Sequence, residues 1–147
     1  MEMMKAPEAV VGVGASAGGL EALRALITHL PTNTGMAFIV AQHLAPQHAS
    51  LLGQLLSRHT EMAVREIVNQ MPIERDTIYI TPPNADVVVG LGVLHLQPPS
   101  QRGPKPSVDR LFASLAEAYG PKAVAVVLSG TGSDGAKGVE SLKARGG

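Results

Sequence analysis

Short apolar runs alternate with helical stripes along this chain, and that order leaves few folds open to it. Val10-Val11-Gly12-Val13, Met36 to Ala41, Ile78 to Thr81 and Ala123 to Leu128 are apolar on nearly every residue rather than on every second one. Such runs predict strands buried on both faces, the pattern of a parallel sheet between helical layers. Leu20, Leu23, Ile27 and Leu30 recur at helical spacing until Pro31 stops the run. Ser50 is placed to cap a second helix, with Leu51, Leu52, Leu55 and Leu56 as its apolar face. Ser107 is placed to cap a third, striped by Val108, Leu111, Phe112 and Leu115. Its first turn carries Asp109, where the helix dipole favours a carboxylate. Val139 to Ala144 begins a last helix, and Gly146-Gly147 reads as its stop. Asp86 to Val89 and Val93 to Leu96, parted by Gly90-Leu91-Gly92, predict a hairpin. The fold class that follows is α/β: a three-layer, doubly wound, mostly parallel sheet with an added antiparallel hairpin.

The length of 147 residues suits one folded unit over 10–147 behind an extension of residues 1–9. Twelve cationic and 12 anionic side chains leave no net charge. Sequence-independent nucleic-acid binding and a polybasic membrane anchor both need a cation excess, so neither is expected. Two Phe and two Tyr are too few for a base-stacking platform. The absence of cysteine excludes disulfides, a thiolate nucleophile and Cys-ligated metals. His43 and His48 lie five apart with no H-E-x-x-H pattern, so no metal or other cofactor is expected. No apolar run approaches the ~18 residues of a membrane span, and no signal-like segment opens the chain, which points to the cytoplasm.

Ligands of open parallel sheets bind beyond the carboxyl ends of the strands. Three of the loops there hold a hydroxyl, an imidazole and a carboxylate: Ser16, His43 and Asp134. Gly14-Ala15-Ser16-Ala17-Gly18 matches G-x-S-x-G, a sharp strand-to-helix turn that exposes a serine. The helix that begins near Gly18 points free N–H groups at the same spot, where an oxyanion can be stabilised. A rival reading takes Gly12-x-Gly14-x-x-Ala17 as a dinucleotide fingerprint. That reading calls for an acidic residue about 20 positions on, and the chain offers Thr32, Asn33, Thr34 and then Gln42-His43. His43 could also simply bond a loop carbonyl, and Asp134 before Gly135 is common turn chemistry.

Taken together, these loops resemble the catalytic domain of CheB-type chemoreceptor protein-glutamate methylesterases. The matching words are VGVGASAGGLEAL at Val11–Leu23, VAQHLAP at Val40–Pro46, YITPPN at Tyr79–Asn84, KPSVDRLFASLA at Lys105–Ala116 and VVLSGTGSDGAKG at Val126–Gly138. The ASAGG and GTGSDG wording is similar to the esterase domain found fused to a CheR-type methyltransferase. The resemblance implies Ser16 as nucleophile, His43 as general base and acid, and Asp134 as the carboxylate that orients it. It implies hydrolysis of glutamate γ-methyl esters on receptor helices, and deamidation of some receptor glutamines.

Two departures fall in the implied oxyanion and substrate loop of Ala17, Gly18, Thr131 and Gly132. Many members carry threonine where this chain has Ala17, and methionine where it has Thr131. A catalytically weak or inactive signalling module on the same fold is therefore the alternative reading. The resemblance also implies a domain that continues past Gly147. A sheet edge left open by such a truncation would invite self-association.

Overall fold

The structure is a computed structural model and describes residues 5–16, 19–43, 49–90, 92–99, 106–128 and 134–147. Its strands are β1 (Ala9–Ala15), β2 (Met36–Gln42), β3 (Ala63–Glu66), β4 (Met71–Pro72), β5 (Thr77–Ile80), β6 (Asp86–Val89), β7 (Val93–Gln97) and β8 (Ala123–Leu128). Its helices are α1 (Leu20–His29), α2 (Ala49–Ser57), α3 (Val108–Tyr119) and α4 (Ala136–Ala144), with a 3₁₀ turn at Gly120–Lys122. Five strands form a wholly parallel sheet in the order β3-β5-β2-β1-β8. The predicted hairpin is β6–β7, and β4 joins it to make a separate antiparallel sheet.

Side-chain alternation sorts the strand residues between two cores. Val11, Val13, Phe38, Val40, Ile78 and Ile80 pack with Leu23 and Ile27 of α1 and with Leu52 and Leu56 of α2. Val10, Ala37, Ile39, Ala41 and Tyr79 pack with Val108, Leu111, Phe112 and Leu115 of α3 and Leu142 of α4. Helices therefore cover both faces, which is why the strands read as near-continuous apolar runs. Two strands escaped the pattern. β3 is a short edge strand whose Arg65 and Glu66 are exposed, and β4 is a two-residue bridge. Neither has enough buried residues to leave a periodic signal. Ser50 lies inside α2, which starts at Ala49, rather than ahead of it as a cap.

The packing of α3 on β1 decides where the site falls. A Cβ added at Gly14 would meet Val108 Cγ1 at 2.5 Å, and one at Gly12 would meet Leu115 Cδ1 at 2.6 Å. Early α3 thus sits over late β1 and later α3 over earlier β1. The helix runs against the strand, with its N-terminus at the carboxyl edge of the sheet. These two glycines make room for α3 side chains, a packing role that the dinucleotide reading did not contemplate.

Gly138 does the same for α4. A Cβ there would lie 2.5 Å from Phe112 Cβ and 3.2 Å from the Asp109 carbonyl oxygen, neither of which is the end of a flexible side chain. Gly138→Ala should therefore cost about 1–3 kcal/mol through forced overpacking, despite alanine's better helix propensity. Urea unfolding of the two proteins measures this, and an unchanged or raised midpoint would refute it.

Candidate active site

Ser16 and His43 follow neighbouring parallel strands. β1 and β2 are in register through Ala15 and Gln42, and the ladder continues as the His43 N–H donates to the Ala15 carbonyl at 2.8 Å. One further step sets Ser16 beside His43, at the roughly 4.8 Å spacing of adjacent strands. Extending the alternation of β1 and β2 assigns both residues to the face that α3 covers. The Ser16 carbonyl accepts from the Gly19 N–H at 2.9 Å and from Gln42 Nε2 at 2.6 Å. Ser16 is thus tied through its carbonyl to the residue that caps α1 and to a side chain from the next strand.

Asp134 meets this pair from the chain segment ahead of α4. Its Oδ2 accepts from His43 Nε2 at 2.8 Å and from the Val108 N–H at 2.9 Å, and its Oδ1 accepts from the Asp109 N–H at 2.9 Å. Those two N–H groups open α3 and have no partner within their own helix, so the carboxylate sits on the positive end of that helix. Asp134 is only 8% exposed. Burial pushes its pKa up, but the hydrogen bond from His43, the two backbone amides and the charge of His43 outweigh it and hold the carboxyl below its ordinary value. A carboxylate can only accept, so the bond to Asp134 requires a proton on His43 Nε2, and the neutral imidazole then carries its lone pair on Nδ1.

The start of α3 is anchored from its other side by Asp86 at the head of β6. Fully buried Asp86 accepts from the Ser107 N–H at 2.8 Å and from Arg110 Nη1 at 2.7 Å. Arg110 also donates to the carbonyl of Pro98 and to Gln97 Oε1. Ser107 Oγ caps the helix at the Arg110 N–H, as its sequence position predicts. The helix end that holds Asp134 is therefore fixed by a half-buried ion pair as well as by packing.

Of the residues singled out from sequence, the structure brings His43 and Asp134 into hydrogen bond and sets Ser16 next to His43. Ala17, Gly18, Thr131 and Gly132 lie outside the described residues. Sequence reasoning missed Gln42, and it read Asp109 only as a dipole partner for its own helix. No local signal marks either role, because each acts on a residue at least 26 positions away. Among the described residues no group of three or more His, Asp or Glu is placed to hold a metal ion.

The CheB methylesterase family profile matches residues 11–147. The chain belongs to the CheB methylesterase family. It is 36% identical, over 97% of its length, to a protein-glutamate methylesterase/protein-glutamine glutaminase of Desulfitobacterium hafniense. It is 34% identical, again over 97% of its length, to protein-glutamate methylesterase/protein-glutamine glutaminase 2 of Methanosarcina acetivorans. The chain spans only 38% and 42% of those two relatives. Its fold matches the crystal structure of the Thermotoga maritima CheB methylesterase catalytic domain with a TM-score of 0.83 and 29% identity, covering 95% of this chain and 76% of that one. The CheB fold is thus the doubly wound sheet expected from the order of strands and helices. Among the described residues of this CheB-family chain, no helix is long and apolar enough to cross a membrane.

Proposed function

We propose that this chain is a serine esterase unit that removes γ-methyl esters from glutamates on the cytoplasmic helices of chemoreceptors or related signalling proteins. The observation that carries the reading is the 2.8 Å bond from His43 Nε2 to a buried, ionised Asp134, beside the serine that follows β1. In this reading Ser16 Oγ attacks the ester carbonyl while His43 Nδ1 takes its proton. The resulting imidazolium is stabilised by Asp134 through Nε2–H. The tetrahedral intermediate collapses as His43 returns the proton to the leaving methoxide, releasing methanol and an acyl-enzyme. Water, deprotonated by the same nitrogen, then releases glutamate and regenerates Ser16. A glutamine substrate follows the same course with ammonia as leaving group.

Mass spectrometry of a methylated receptor peptide incubated with the protein tests the proposal. The expected result is loss of one methylene mass per modified glutamate, with release of methanol. A peptide that keeps its methyl groups would overturn the esterase reading in favour of a binding module.

The reading also carries a proposal for β8. Among the described residues β8 is paired on one side only, with β1, and Val124 and Val127 are 41% and 46% exposed. The other outer strand, β3, carries Arg65 and Glu66, the kind of charge that discourages edge pairing. β8 carries no charge at all. Two copies should therefore associate along β8 at high concentration, and Val127→Lys should reduce that association. Sedimentation velocity over a concentration series decides it, since a strictly monomeric wild-type chain would count against the proposal.

A further inference from the structure

α3 and α4 begin side by side, and each is capped by an aspartate that belongs to the start of the other. Asp134, just ahead of α4, accepts from the first two N–H groups of α3. Asp109, in the first turn of α3, returns the arrangement: its Oδ1 accepts from the Gly135 N–H at 2.8 Å and the Gly138 N–H at 2.9 Å. The N-cap residue of α4 is Gly135, which has no side chain to cap with. Its φ of 104° is a left-handed value that suits glycine and turns the chain from Asp134 into the helix. The missing Cβ at Gly138 lets the Asp109 backbone approach closely enough for the second bond.

The consequence is a closed circuit around Asp134. The Asp109 N–H holds one carboxylate oxygen of Asp134, while the Asp109 carboxylate holds the N–H of the residue that follows Asp134. Both the side chain and the peptide on its C-terminal side are tied to one residue. The remaining oxygen is thereby fixed toward His43 Nε2 and the Val108 N–H. We infer that Asp109 is a positioning residue for the hydrolytic site: through Asp134 it sets the orientation and tautomer of His43 without touching the substrate. This rests on the reading of Ser16, His43 and Asp134 as the hydrolytic machinery.

The test compares wild type with Asp109→Ala, Asp109→Asn and Asp109→Glu, using Ser16→Ala as the control. The readouts are kcat and KM on the methylated peptide and the ¹⁵N NMR signals of His43 in protein labelled at histidine. Asp109→Ala should lower kcat on the order of 10²-fold with KM unchanged, the scale expected when a reacting group is misplaced by about an ångström. His43 should then show protonation spread over both ring nitrogens. Asp109→Asn keeps an oxygen for the two glycine amides and should restore most of kcat and the Nε2–H tautomer. Asp109→Glu keeps the charge but lengthens the reach by one methylene, so it should lose kcat while remaining folded. Should Asp109→Ala fail to fold, the Glu and Asn variants decide the matter. Wild-type kcat and an intact Nε2–H signal in Asp109→Ala, or in Asp109→Glu, would overturn the inference. Full activity in Ser16→Ala would instead overturn the esterase reading, and the His43 signals would still judge Asp109.

Discussion

Ser16→Ala should lower kcat for methyl-ester hydrolysis by about 10⁶-fold, the scale seen when a triad nucleophile is removed. The substitution removes the side-chain oxygen and leaves the backbone in place. The bonds that pin the turn are made by the Ser16 carbonyl, to Gly19 and Gln42, and alanine retains that carbonyl. Peptide binding should therefore persist while turnover stops. A variant that still hydrolyses the ester at a tenth of the wild-type rate would mean that another group is the nucleophile. Circular dichroism and a binding measurement on the same sample separate this outcome from misfolding.

Asp134→Asn should cost about 10⁴-fold in kcat, as loss of the orienting carboxylate does in Ser-His-Asp enzymes. The carboxylate accepts from His43 Nε2 and from the N–H groups of Val108 and Asp109. Asparagine has one acceptor oxygen and an amide that donates. If the oxygen stays on the Asp109 N–H, the NH₂ group takes the place of Oδ2, faces both His43 and the Val108 N–H, and drives the imidazole proton onto Nδ1, where it cannot accept from Ser16. The same substitution should weaken the fold by about 0.3–1 kcal/mol, because a charge leaves a helix N-terminus.

Its pH dependence has a definite sign. The Asp134 carboxyl is more acidic in the folded chain than in the unfolded one. The stability it contributes is complete above the ordinary aspartate pKa of about 3.9 and is lost as the pH falls through the lower, folded-state value. Asp134→Asn should lack that loss, so the stability gap between the two proteins should close as the solution is acidified. Urea unfolding from about pH 6 down to about pH 2 would show it. A gap that stays constant, or widens toward acid, would contradict the assignment.

The sequence determined the layers. Val10–Val13 and Met36–Ala41 are apolar on successive residues because helices cover both faces of the sheet, and that local property reads directly from composition and period. It also placed Ser16, His43 and Asp134 beyond strand ends. The short β3 and β4 went unseen, since a strand with few buried residues has no period to detect. Only the tertiary structure decided that Gly12 and Gly14 admit α3, that Gln42 grips the Ser16 carbonyl, and that Asp109 and Asp134 cap one another's helices. Each of those contacts joins residues far apart in the chain, and a hydrogen bond across such a separation has no periodicity by which a sequence could announce it.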